Sequence, residues 1–123
     1  MRTGVDITDI KRFKKLLNDE NFLNRIFTEK EQQHIFAHKT EKGQLERLAG
    51  KYAGKEAVSK LLGTGIGNGV VFKDIEILPN FDARPIANLF GKAKLQFEKL
   101  KLSQLDISIS HDAGIAIAYC VAI

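Results

Sequence analysis

The chain has one cysteine, no tryptophan, one methionine and two prolines among 123 residues. Cys120 alone cannot close an internal disulfide, so a reducing cytoplasm is the expected location. It stands in an apolar C-terminal run and reads as a small core residue rather than a nucleophile. No apolar run approaches the roughly 20 residues of a membrane span. The opening "MRTGVDITDI" lacks the apolar core and small-residue cleavage site of a signal peptide. Repeats, low-complexity tracts and Pro/Ser-rich linkers are also missing, so one domain is expected over residues 1–123. A formal charge of +4 favours anionic partners. However, there is no dense arginine run, and the aromatic residues are mostly spaced as core residues, so no nucleic-acid-binding module is recognisable.

What is present reads as alternating short elements. "TGVDI" (3–7) has the character of a short strand. "TDIKRFKKLL" carries Ile10, Phe13, Leu16 and Leu17 at helical spacing. Thr28 and Glu31 form a capping-box pattern before a short helix. A long helix is expected over Glu41–Leu62, ended by Gly63, since glycine tolerates the left-handed conformation of a helix end. "VVFKDIEIL" reads as a strand. Pro85 reads as a helix start, with Ile86, Leu89, Phe90, Ala93 and Phe97 on one face. "LDISIS" alternates like a half-buried strand, "HDAG" reads as a turn, and "IAIAYCVAI" as a strand paired with it in a hairpin. The expected fold class is α+β: a small, mainly antiparallel sheet with one long helix packed on it.

Four features could carry chemistry. Asp6 is acidic among apolar neighbours near a strand end and needs a partner: a metal, a cation or a backbone donor. Glu56 and Lys60 stand i,i+4 on the long helix. At about 100° per residue they continue the apolar stripe of Leu45, Ala49 and Tyr52. They are either a solvated surface pair or the edge of a site. "GTGIGNG" has four glycines in seven residues. It is either a plain turn or a loop bringing backbone N–H groups to a phosphate, and it lacks the P-loop spacing. "SISHD" offers Ser108, Ser110 and His111. It has no nucleophile elbow, so anion binding is more economical than a Ser-His hydrolase. Small residues Gly50, Gly54 and Ala57 suggest that the long helix is enclosed on two sides. His34 and His38 have zinc-like i,i+4 spacing but no third ligand, and read as ordinary surface histidines. Two carboxylates near a phosphate-binding loop are usual companions of Mg²⁺.

The segments "GVDITDIKR", "RIFTEKE", "LAGKYAGKEAVSKLLGTGIG", "FKDIEIL" and "ISISHDAGIAIA" occur in this order. With G-x-D near the start and K-E-A-x-x-K about fifty residues on, the chain resembles the bacterial holo-acyl-carrier-protein synthases, the short single-domain 4′-phosphopantetheinyl transferases. The resemblance implies the 4′-phosphopantetheinyl transferase fold. It also implies transfer of phosphopantetheine from coenzyme A to a serine of apo acyl carrier protein, with release of adenosine 3′,5′-bisphosphate. By matched position, Asp6 and Glu56 are expected to bind Mg²⁺, with Glu56 and Lys60 catalytic. Lys51, Lys60, Gly63, Thr64, Gly65, Ser110 and His111 are expected at the coenzyme A site, and Arg12 where the acidic carrier protein docks. Thr8 stands where the longer two-domain relatives have an acid. The resemblance therefore also implies a homotrimer with active sites between subunits. Gly54 and Lys51 depart from the family's usual Ala and Arg.

Overall fold

The computed structural model describes residues 1–123. Alternation makes Arg2–Asp9 a strand, β1, with Gly4, Asp6 and Thr8 on its inner face and Val5 and Ile7 on its outer face. Two short helices follow, α1 (Glu20–Ile26) and α2 (Glu29–Phe36). Asp19 caps the first, and the expected Thr28/Glu31 capping box starts the second. The long helix α3 spans Glu41–Leu62 as expected, capped by Thr40 and ended by Gly63 at φ 80°. Next come β2 (Ile75–Pro79), β3 (Pro85–Leu89), α4 (Gly91–Lys99), β4 (Leu105–Asp112) and β5 (Ile115–Ala122).

The strands form two antiparallel sheets: β1-β5-β4, and the hairpin β2-β3. Helix α3 lies on the inner face of the larger sheet. Gly4 makes the close approach possible, because a Cβ there would collide with the Ala57 carbonyl oxygen. The enclosure expected from the small residues is observed. A Cβ on Gly54 would stand 3.2 Å from both Ile107 and Ile77, and one on Gly50 would stand 3.0 Å from Ile109. One apolar cluster joins Ala53, Ala57 and Leu61 to Ile75, Ile77, Ile107 and Cys120. The second surrounds the first half of α3 with Phe13, Phe22, Phe27, Ile35 and Leu48. Cys120 is a buried core residue, as read.

Several expected elements are corrected. Residues 10–17 do not form an α-helix. They make two 3₁₀ turns, Ile10–Phe13 and Leu16–Asn18, which bury only Phe13 and Leu17. Pro85 starts a strand, not a helix, and α4 begins only at Gly91. Pro85 suits this place because β3 ends the sheet and an edge position tolerates a missing N–H. The strand in "VVFKDIEIL" is confined to Ile75–Pro79, after a 3₁₀ turn at Phe72–Asp74. The hairpin turn shrinks to Ala113-Gly114, and His111 and Asp112 belong to β4.

The free edge of β2 is closed by charges rather than by a strand. Ile77 N–H donates to Glu31 Oε2 at 2.8 Å, and Ile77 C=O accepts from Lys51 Nζ at 2.8 Å. Lys55 Nζ donates to the Ile75 and Phe72 carbonyls and to Glu31 Oε1. Buried backbone groups must be paired. Three side chains from α2 and α3 do this and fasten the hairpin to the helix.

Candidate active site

Asp6 and Glu56 face each other across the β1–α3 contact, with Lys60 one helical turn beyond Glu56. Lys60 Nζ lies 3.1 Å from Asp6 Oδ1 and 3.0 Å from the Val5 carbonyl. The partner that Asp6 requires is therefore this ammonium. The Asp6 side chain is 16% exposed and that of Lys60 53%, so the carboxylate sits at the floor of an open site. Burial raises the Glu56 pKa first, and the Asp6 charge adds to it. Lys60, Arg12 and the Tyr52 hydroxyl oppose these effects. Tyr52 is held by stacking on Phe72, centroids 5.4 Å apart, and by contact with Phe13 at 5.0 Å. Arg12 donates to Thr8 Oγ1 at 3.2 Å, and its guanidinium lies 5.2 Å from the Tyr52 ring centroid. The sequence reading did not single out Tyr52 as a site residue. Its place one turn before Glu56 was the available signal.

Asp6, already paired with Lys60, and Glu56 are the two carboxylates here that could hold a metal ion. The donors are carboxylate oxygens from two elements, and no group of three or more His, Cys, Asp or Glu side chains is assembled. Such a sparse all-oxygen set fits Mg²⁺, which keeps waters and takes substrate oxygens, better than a fully protein-ligated ion.

The glycine loop begins where Lys60 ends its turn. Its Gly63, Gly65 and Gly67 N–H groups are engaged by the carbonyls of Lys60, Ser59 and Val70. The loop is thus a braced turn, and those three donors are committed internally. The Thr64 hydroxyl is buried without a partner.

The remaining expected coenzyme A residues lie elsewhere on the chain. His111 Nδ1 stands 3.1 Å from Glu46 Oε2. Glu46 precedes Glu56 by ten residues, about 15 Å along α3. His111 and Lys51 both line a cavity of about 290 Å³ between α3 and the β2–β3 hairpin, and Asp6, Glu56 and Lys60 are not among its walls. Lys51 is 4% exposed, and burial lowers its pKa to about 8. Ser110 pairs with Ile117 on the outer face of the sheet, whereas His111 follows on the other face. Adjacent strand residues point apart, so Ser110 and His111 do not form a Ser-His pair. One chain therefore carries two groups of expected site residues: Asp6, Glu56, Lys60 and the loop, and apart from them Lys51 and His111.

His34 and His38 are not ordinary surface residues. Both line the same cavity. The His38 ring occupies the space a side chain at Gly43 would need, and His34 Nδ1 is buried without a partner. Burial, then Lys51 and Arg47, lower the His34 pKa to about 4.

The family model of the 4′-phosphopantetheinyl transferase superfamily matches residues 2–120. A holo-[acyl-carrier-protein] synthase of Caldicellulosiruptor saccharolyticus is 40% identical, over 97% of this chain and 93% of its own. The solved Helicobacter pylori holo-[acyl-carrier-protein] synthase, a complex with coenzyme A, is 35% identical with a TM-score of 0.81, over 98% of this chain and 99% of that one. The Bacillus anthracis enzyme, also solved with coenzyme A (3′,5′-ADP), is 34% identical with a TM-score of 0.80, over 98% and 94%. The chain belongs to the 4′-phosphopantetheinyl transferase superfamily, among its holo-[acyl-carrier-protein] synthases.

Proposed function

We propose that this chain moves the 4′-phosphopantetheine group of coenzyme A to a serine of apo acyl carrier protein, in the cytoplasm and with Mg²⁺. The observation that carries the reading is the convergence of Asp6, Glu56 and Lys60 at the β1–α3 contact. Asp6 and Glu56 would hold Mg²⁺, which when bound supplies charge neutralisation at the pyrophosphate. The serine oxygen bonds to the phosphorus that bears pantetheine, and the P–O bond to the second phosphate breaks. Adenosine 3′,5′-bisphosphate leaves with that bridging oxygen. Glu56, whose pKa is raised, takes the serine proton. Lys60 balances charge on the phosphoryl oxygens, and its open half-exposed side chain allows it to reach them. Arg12, exposed beside Glu56, is the docking cation for an acidic carrier.

The separation of the two groups of expected residues supports a site shared between subunits of a homotrimer. The outer face of the β1-β5-β4 sheet favours the same conclusion. Val5, Ile7, Ile115, Ile117 and Tyr119 lie there side by side and are 39 to 63% exposed. A contiguous apolar sheet face is the usual mark of a protein interface. A second subunit on this face would bring the cavity of one chain, with Lys51 and His111, toward the carboxylates of its neighbour.

The deciding experiment is mass spectrometry of apo acyl carrier protein incubated with the chain, coenzyme A and Mg²⁺, beside a chelator control. A metal-dependent gain of one phosphopantetheine is expected. No gain together with no coenzyme A binding would overturn the reading.

A further inference from the structure

Arg12 stands exposed on the 3₁₀ turn Ile10–Phe13, yet its guanidinium has a fixed seat. Its Nη1 donates to Thr8 Oγ1, four residues back on β1, at 3.2 Å. Thr8 is 5% exposed, on the inner face of the sheet, so this acceptor is itself held by the core. The guanidinium carbon lies 4.9 Å from the Phe13 ring centroid and 5.2 Å from that of Tyr52. Both rings are anchored: Phe13 is fully buried, and Tyr52 stacks on Phe72. Aromatic faces attract a cation at such distances. None of these contacts carries a negative charge, and Arg12 belongs to none of the chain's ion pairs. The neighbouring Lys11, by contrast, has a side chain open to solvent and reaches the Asp9 carboxylate at 3.9 Å. Arg12 is thus held in place without being neutralised.

We propose that Thr8 and the Tyr52 ring are positioning residues, which hold Arg12 ready for a carboxylate of the docking carrier protein. A long side chain at a surface loses rotamer freedom when a partner captures it, and that loss weakens binding. Here folding has already removed the freedom. A carboxylate in place of the Thr8 hydroxyl would also fix Arg12, but it would use up the charge. A hydroxyl and two ring faces fix it and leave the charge, with the remaining N–H donors, for the partner. The seat also ties Arg12 to β1 and α3, the two elements that supply Asp6 and Glu56. A carrier carboxylate on Arg12 is therefore placed at a set distance from the reacting centre, which helps to deliver the serine in one orientation. This role rests on the reading that an acidic carrier docks at Arg12, but the order it requires of the Arg12 side chain does not.

Two measurements test it. In ¹⁵N relaxation of the free protein, the Arg12 Nε–H group should be nearly as ordered as the backbone around it. Thr8→Val keeps the branched shape and loses the hydroxyl, and it should make that group mobile on the ps–ns scale; Tyr52→Leu should do the same. A mobile Arg12 in the unaltered protein, or one that stays ordered in both variants, overturns the proposal whether or not the chain modifies a carrier. Kinetically, Thr8→Val should raise KM for apo carrier protein about fivefold, the scale of ordering one long side chain, and leave KM for coenzyme A unchanged. Thr8→Ser should recover the loss, and Thr8→Val should add nothing in an Arg12→Ala background. An equal rise in carrier KM in both backgrounds would mean that Thr8 acts without Arg12. A matching rise in KM for coenzyme A would mean that it supports the site as a whole. Either result sinks the proposal.

Discussion

Lys55 Nζ lies 2.8 Å from Glu31 Oε1, and both side chains are fully buried. Burial lowers the Lys55 pKa, and the Glu31 charge works against that shift. The same carboxylate accepts from Thr28 N–H at 2.9 Å and from Ile77 N–H, so it caps α2 and closes the edge of β2 at once. Removing one partner of such a pair leaves the other charge stranded, at a cost of about 3–5 kcal/mol. Lys55→Met should lose stability on this scale in urea denaturation, and the Lys55→Met, Glu31→Leu double variant should lose less than the sum. Additive losses would show that the two side chains act separately.

Asp6 and Lys60 are only partly buried, so their replacement should not unfold the chain. Asp6→Ala should keep native circular dichroism and lose metal-dependent transfer. Lys60→Ala should lower kcat more than it raises KM for coenzyme A, since its charge is needed where negative charge develops. Steady-state kinetics with each substrate varied decides. A change in KM alone would make Lys60 a simple binding residue.

Helix α3 was legible in the sequence because local signals agree along it: a Thr40 cap, spaced apolar residues and a glycine stop. The Glu56–Lys60 pair stood out for a related reason, since it interrupts an apolar stripe. Pro85–Leu89 was not legible. Ile86, Leu89 and Phe90 have helical spacing, yet pairing with β2 places Ile86 opposite Leu78 in a ladder. That is a tertiary contact overriding a local pattern. Lys51 illustrates the same limit at the site. The resemblance suggested only a place at the coenzyme A site, whereas its ammonium holds the Ile77 carbonyl, twenty-six residues away. Long-range partners such as Lys55–Glu31 and His111–Glu46 leave no trace in spacing.

Arg12 is exposed, yet it touches Thr8 and lies over Tyr52. Arg12→Glu should raise KM for the carrier protein by about tenfold and should do so less at high salt, because docking charges steer association through a screened field. Salt-dependent kinetics with apo carrier protein checks this. An unchanged carrier KM would remove Arg12 from the docking surface.

Ile117 sits at the centre of the uncovered sheet face, opposite Ile7 on one side and Ser110 on the other. Ile117→Asp should leave the inner core untouched, where Ala116 and Ala118 face α3. Placing a carboxylate in an apolar subunit contact should shift the chain to monomers in sedimentation velocity and abolish transfer together with assembly. A fully active monomer would exclude a site shared between subunits.

His34 predicts an acid sensitivity whose sign follows from its surroundings. In the unfolded chain it takes a proton near its ordinary value of 6.5, while in the fold it does so only near 4. Between these values the unfolded state binds more protons, so stability is full above about 6.5 and falls as the pH drops toward 4. Glu56 works in the opposite sense, because its raised pKa makes the folded state the better proton binder as the pH falls. Only the difference between variant and parent isolates His34. His34→Gln should therefore flatten the decline in melting temperature between pH 6.5 and 4, while changing it little in slope above 7. The effect should be modest, because the ring is partly open to solvent and its interactions are screened. An identical pH profile in the variant would mean that solvent reaches the ring freely. The cavity wall between α2 and α3 would then be looser than its unpartnered Nδ1 implies.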